Sequence, residues 1–379
     1  MMKNSIYLDH NATAPLRPEA LAAFGAALAQ VGNPSSVHAF GRAARNSVER
    51  AREQVAALAG CQAAQVVFTG GGTEANNLAL SGPRPSHLLV SAGEHDSVLQ
   101  VDSRREILPL LASGLLDLAA LEARLQALRG DGPVLVSVMF ANNETGVIQP
   151  IAEIARLVTA AGGLLHCDAI QAAGKLGLDF GGLGLDLMTL SAHKLGGPQG
   201  VGALVLREPL ALAPLIKGGG QERRHRAGTE NVAGIAAFGA AAAAAQRDLP
   251  KMAELARWRD GFEARLLAKA RLARVVGQGS PRLPNTSCVT MAGVKAETQV
   301  IALDLAGIAV SSGSACSSGK VTLSHVLTAM GLSAEAASSA LRISLGWNSR
   351  EEELERCLDA WLTLYHRKVS GENDERKTA

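Results

Sequence analysis

The 379-residue sequence is poor in aromatic side chains, at 3%, and nearly without net charge, at +2. That small charge, and the lack of a long basic run with interleaved aromatics, argue against a nucleic-acid partner. No uncharged apolar run approaches the roughly 18 residues that a membrane span requires. The opening "MMKNSIYLDHNATAP" lacks the apolar stretch of a secretory signal, so a cytoplasmic protein is expected. Paired cysteines are missing as well. Cys61, Cys167, Cys288, Cys316 and Cys357 are odd in number, scattered and without CxxC spacing, which argues against a disulfide framework or a zinc site. No GxxxxGK[ST] nucleotide loop occurs, since "AAGKLG" lacks both the distant glycine and the hydroxyl.

What is present is a chain long enough for two cores, 47% hydrophobic and 19% charged, with alanine heavily used. From "SSVHAFGRAARNSVERAREQVAALAG", a helix closed by Gly60, apolar strand segments alternate with helical ones. The strand segments are "AQVVFT", "HLLVSA", "REILPL", "PVLVSVMF", "GLLHCD", "DLMTLSA" and "GVGALVLRE". Such alternation predicts an α/β fold with a mostly parallel, helix-covered sheet over residues 16–247. An alanine-rich helix from about residue 229 to 247 ends this region, and Pro250 marks the boundary. Residues 248–369 then read as a smaller α+β domain, to which the extended segment 1–15 is expected to pack. The polar residues 370–379 read as a disordered tail.

Two strand ends carry the chemistry. Lys194 follows an apolar strand in "LSAHKLGGPQG", and Asp168 ends another in "LLHCDAIQAAGK", with Gln171 three residues on. Open α/β sheets bind ligands at such C-terminal strand ends. Pyridoxal phosphate needs a lysine for its aldehyde and a carboxylate for its pyridine nitrogen, and Lys194 and Asp168 supply that pair. In "FTGGGTEANN", three glycines lead from a strand to Thr73 at a helix start, where free N–H groups favour a phosphate. The segment "SSGSACSSG", residues 311–319, sets Cys316 among serines and glycines, which suits a thiol that must travel.

In order along the chain, "YLDHNATAP", "NPSSVHAFGR", "GGTEANN", "EHDSV", "NNETGVIQP", "HCDAIQAAGK", "SAHKLGGPQGVGA", "GGGQERRHRAGTEN", "SSGSACSS" and "LRISLG" resemble the cysteine desulfurases. These are class V aminotransferase-like enzymes of the pyridoxal-phosphate type I fold, and the resemblance is to their NifS/IscS-like branch. It implies Lys194 as the Schiff-base lysine, Asp168 on the pyridine nitrogen, Gln171 on the phenolic oxygen, and His95 stacked on the ring as a proton carrier. Gly72, Thr73, Ser191, Ala192 and His193 would line the phosphate or ring edge, and Asn143 would lie near cofactor and substrate. Arg342 would hold the substrate carboxylate, as its planar fork can. Thr229 would reach the phosphate of a second copy in a homodimer. Cys316 would attack the sulfur of L-cysteine, become a persulfide and pass sulfur to an acceptor such as an iron–sulfur scaffold, leaving alanine. The remaining four cysteines read as structural. A selenocysteine lyase or transaminase of the same fold, and more remotely a non-catalytic scaffold subunit, are the competing expectations.

Overall fold

The computed structural model describes residues 5–313 and 323–378, with side chains described through residue 369. Thirteen strands lie among the described residues: β1 (Ile6–Tyr7), β2 (Val66–Thr69), β3 (His87–Ser91), β4 (Glu106–Leu108), β5 (Val134–Ser137), β6 (Leu164–Asp168), β7 (Leu187–Ser191), β8 (Gly202–Leu206), β9 (Ala273–Val275), β10 (Thr286–Met291), β11 (Ile308–Ala309), β12 (Ser311–Ser312) and β13 (Ala340–Ser344). Seven of them form one sheet in the order β2-β8-β7-β6-β5-β3-β4. All its neighbours run parallel except β8, which is antiparallel to both β2 and β7. Strands β2, β5, β7 and β8 are buried along their whole length, so they appear in the sequence as continuous apolar runs and not as alternations. Helices cover both faces. The alanine-rich helix Val232–Asp248 starts slightly later than its composition suggests, capped by Asn231, whose side chain accepts from Gly234 N.

One helix in this region has no counterpart in the sequence reading. Pro18–Leu28 packs against Val232–Asp248 yet buries only Ala20 and Ala27 among its side chains. Its apolar stripe is too thin to register as a period of 3.6, but Pro18 at the first helical position and Glu19 in the first turn are start signals.

The second region is an antiparallel sheet, β12-β13-β10-β9, packed against helices Met252–Lys269, Ala296–Leu305 and Glu351–Thr378. Its core gathers Phe262, Leu266, Val289, Leu341 and Trp361. Ile6 and Leu8 join that core, and β1 pairs in parallel with β11. The last helix runs on to Thr378 through residues whose polarity reads as a disordered tail, a difference from the sequence expectation. A polar face does not forbid helix where Glu, Lys and Arg, all good helix formers, predominate. The chain thus enters along the small sheet and crosses at residues 9–12 to the ends of the large one, so one short segment meets both regions.

Candidate active site

A cavity of about 280 Å³ opens where β6 and β7 end, and the segment at Asn11, the helix start at Gly72 and β13 close it. The helix Gly72–Ser81 follows β2 through Gly71, whose φ of 151° favours glycine. A Cβ on Gly202 of β8 would lie 2.6 Å from the Gly71 carbonyl carbon, so both glycines are needed for the turn to lie close on the sheet. The free N–H groups of this first turn, with Thr73 beside them, form the end of the cavity suited to a phosphate.

Lys194 sits in the short helical turn Ala192–Lys194 directly after β7, and its Nζ donates to the carbonyls of Asn11 at 2.5 Å and Ala12 at 2.8 Å. On neighbouring β6, Asp168 accepts from Asn76 Nδ2 at 2.8 Å and from Ile170 N at 3.0 Å. Burial pushes the Asp168 carboxyl above its ordinary range, while Asn76, Ile170, His95 and Lys194 pull the other way. A cationic N–H placed against it would favour its charged form. His95 caps a four-residue helix: its Nδ1 accepts from Ser97 N at 3.0 Å, which leaves the ring proton of the neutral form on Nε2. Ser97 Oγ lies 2.8 Å from the same Nδ1 and accepts from Asn76 Nδ2 at 2.9 Å. A continuous run of hydrogen bonds therefore joins Asp168 to His95 through Asn76 and Ser97.

Gln171 donates through Nε2 to the Asn11 carbonyl at 2.9 Å and accepts from Lys175 Nζ at 2.9 Å. Burial, and after it the nearby cations of Lys194 and Arg342, push the Lys175 ammonium down to about 7. Because lysine can only donate when charged, it fixes which end of the Gln171 amide faces it. Ser191 and His193 line the cavity, and burial next to Lys194 takes the His193 ring down to about 4. Arg342 on β13 is buried, donates to Asp9 Oδ1 at 2.7 Å and to the Asn143 carbonyl at 3.1 Å, and has no partner for Nε among the described residues. Arg342 lines the cavity, and its planar guanidinium is the group there that suits a carboxylate.

Two of the expected residues are not among those lining this chain's own cavity, which for Thr229 is the expectation. Ala192 is fully buried and packs in the large core, because the turn after β7 points its methyl inward, so it does not line the cavity. Thr229 is exposed and outside the cavity of its own chain. Cys316 falls outside the described residues. On either side of its segment, Gly313 N donates to Ala340 O at 3.0 Å and Ser324 Oγ to Glu144 Oε2 at 2.6 Å. Burial pushes Cys61, Cys288 and Cys357 up to about 12 and Cys167 well up, so these four thiols stay protonated at neutral pH.

The sequence reading missed Asn11, Asn76, Ser97 and Met139, of which all but Asn76 line the cavity. Asn76 had a signal, since it lies one helical turn beyond Gly72 on the same face. Asn11 had none. Its carbonyl receives Lys194 and Gln171, its Oδ1 receives Lys175 at 3.3 Å and Asn285 at 3.1 Å, and its Nδ2 donates to Thr286 at 2.9 Å, contacts spread over more than 270 residues of sequence.

Residues 6–357 match the family model for aminotransferase class-V. The chain belongs to that family, in its cysteine desulfurase branch. It is 42% identical over 369 residues to the cysteine desulfurase of Cereibacter sphaeroides, covering 93% of this chain and 94% of that one. The cysteine desulfurase IscS of Dictyoglomus turgidum is 40% identical over 373 residues, covering 94% of each. Among solved structures, the NifS-like protein of Rickettsia africae superposes with a TM-score of 0.89 at 35% identity, over 96% of this chain and 100% of that one. Class-V aminotransferases and cysteine desulfurases are pyridoxal-phosphate enzymes, and the mostly parallel sheet with its smaller partner domain is the desulfurase architecture.

Proposed function

We propose that this cysteine desulfurase carries pyridoxal 5′-phosphate on Lys194 and passes the sulfur of L-cysteine to Cys316. The observation that supports it most is the placement of Lys194 and Asp168 on one cavity, with the Gly72 helix start at one end and Arg342 opposite. When bound, the cofactor withdraws electrons from the substrate α-carbon. The protein's part is to hold and move charge. Asp168 would keep the pyridine nitrogen protonated, Gln171 would donate to the phenolic oxygen, and Ser191, His193 and the first-turn N–H groups with Thr73 would take the phosphate. Asn143 and Arg342 would orient the substrate, the arginine through its carboxylate. Lys194, freed by the substrate amine, would remove the α-proton, and His95 Nε2 would carry a proton at the ring. The Cys316 thiolate then forms a bond to the substrate sulfur as the carbon–sulfur bond breaks. The bonding pair remains on the carbon skeleton, which takes up protons to become alanine, and Cys316 is left as a persulfide.

A homodimer fits this reading. Thr229 is exposed away from its own cavity, and Leu28, Val31, Val37 and Phe40 are exposed apolar side chains of the kind a second copy covers. Among the described residues no helix is long and apolar enough to cross a membrane. A cytoplasmic sulfur acceptor, such as an iron–sulfur scaffold protein, would receive the persulfide. The test is incubation with L-cysteine, quantifying alanine while peptide mass spectrometry locates the added sulfur. An additional sulfur on Cys316 is expected, and sulfur on any other residue overturns the assignment.

A further inference from the structure

Strand β2 is an edge of the large sheet, paired only with β8, and an edge strand leaves backbone groups without ladder partners. Here an ion pair takes the place of the missing strand. Arg52 Nη1 donates to the Val66 carbonyl at 2.8 Å, and Glu222 Oε2 accepts from Phe68 N at 2.9 Å. The two side chains meet in a planar fork, Nη1 to Oε2 at 2.7 Å and Nη2 to Oε1 at 2.9 Å, with both side chains buried. Arg52 also lies over the Phe68 ring, 4.8 Å from its centroid.

The backbone that delivers Glu222 is strained. Glu222, Arg223 and Arg224 have φ of 42°, 53° and 70°, three consecutive residues with side chains in the left-handed region. Such a run persists only where its surroundings hold it, and the buried grip on Glu222 is one such constraint, beside the bond that Arg223 Nη1 donates to the Ala64 carbonyl. The turn leads directly to Arg226, whose Nε pairs with Glu74 Oε1 at 3.0 Å in the first turn of the Gly72 helix, and then to the exposed Thr229. The segment from 222 to 229 is thus fixed to its own chain at Glu222, Arg223, Arg226 and Ala227, of which Glu222 is the deeply buried anchor, and leaves Thr229 exposed.

We infer that Glu222 is a positioning residue: through Arg52 and Phe68 it fixes the left-handed turn, and so fixes where Thr229 meets the phosphate site of a second copy of this chain. The inference rests on the two-copy site proposed above and adds the device that aims it. Its consequence is directional, because an altered turn should damage the partner's site and spare its own.

Two differently tagged copies, co-expressed and purified through both tags, give dimers with one competent lysine. In the first, one copy carries Lys194→Ala with Glu222→Gln and the other is unaltered, so the competent site faces the altered turn. In the second, a Lys194→Ala copy is paired with a Glu222→Gln copy, so the competent site faces an unaltered turn. The readout is the pyridoxal 5′-phosphate concentration for half-maximal borohydride-fixed attachment to Lys194. It should rise about tenfold in the first and stay within about twofold of the Lys194→Ala/unaltered control in the second. Equal effects, no effect, or an effect only in the second overturns the inference. Because Glu222→Gln leaves Arg52 poorly paired, Arg52→Met with Glu222→Met in the same arrangements removes both charges and should show the same asymmetry. Thr229→Ala placed as Glu222→Gln was separates the two claims. If it gives no asymmetry, or if the chain is monomeric, the two-copy reading fails. If Thr229→Ala gives the asymmetry and Glu222→Gln does not, only the role of Glu222 fails.

Discussion

On the large-domain wall of the cavity, Asp168, Asn76, Ser97 and His95 form one run of hydrogen bonds at the ends of strands and helices. On the small-domain wall, Arg342 stands within a strand and is held by Asp9 and the Asn143 carbonyl. The first arrangement fixes proton positions before any ligand arrives. The second holds Arg342 through its Nη groups and leaves its buried Nε without a partner among the described residues. On the function proposed above, the two walls would have different tasks: orienting a resident ring, and recognising a substrate that comes and goes.

Separating the walls by mutation gives the largest effects first. Lys194→Ala should abolish borohydride-fixed cofactor attachment and lower desulfurase activity by about a thousandfold or more, read by peptide mass spectrometry and alanine release. Full attachment at another lysine would break the assignment of this wall. Arg342→Lys should leave attachment intact and raise KM for L-cysteine about ten- to a hundredfold, since an ammonium cannot reproduce the planar fork. If KM is unchanged and attachment fails instead, the division between the walls is wrong. Asn76→Ala should lower kcat about tenfold, with a shifted pH profile and little change in KM, because it breaks the link between Asp168 and His95 without touching the substrate side.

Away from both walls, the buried Glu144 carboxylate accepts from Ser324, and burial pushes it up to about 7. A carboxyl raised in the folded state above its unfolded value of 4.5 binds more protons folded than unfolded between those two values. Stability from this group is present at low pH and declines as pH rises from about 4.5 to 7. Glu144→Gln should remove that decline, so its stability relative to the unaltered chain should improve between pH 5 and 8 by at most about 3 kcal/mol. Denaturant unfolding at the two pH values checks it, and a difference that does not change with pH would show that Glu144 ionises normally.

Much of the fold is legible along the chain because most strands of the large sheet are buried on both faces and written as apolar runs, and two of them, β6 and β7, end at Asp168 and just before Lys194. The thin stripe of Pro18–Leu28 and the helical course of the last polar residues are not, since local pattern carries little weight where packing or charge-rich helix formers decide. Within the site, Lys194, Asp168 and Gln171 are visible because their positions follow from strand ends. Asn11 is invisible: nothing in "DHNAT" states that its backbone carbonyl receives Lys194 while its side-chain amide joins Lys175 and Asn285. Ala192, inside a site motif, has its methyl in the core, which the motif does not reveal.

The sequence by itself determined the alternation of strand and helix, the glycines of the phosphate turn, the lysine and carboxylate at adjacent strand ends, and a family membership that the whole length of the chain supports. Tertiary structure alone decided that Asn11 joins the two regions, that Arg52 and Glu222 stand in for a missing strand, and that Thr229 is exposed outside its own cavity. The physical reason is one of range. Periodicity and turn chemistry act over a few residues and are written locally. Hydrogen bonds between residues hundreds of positions apart depend on which surfaces the folded chain brings together.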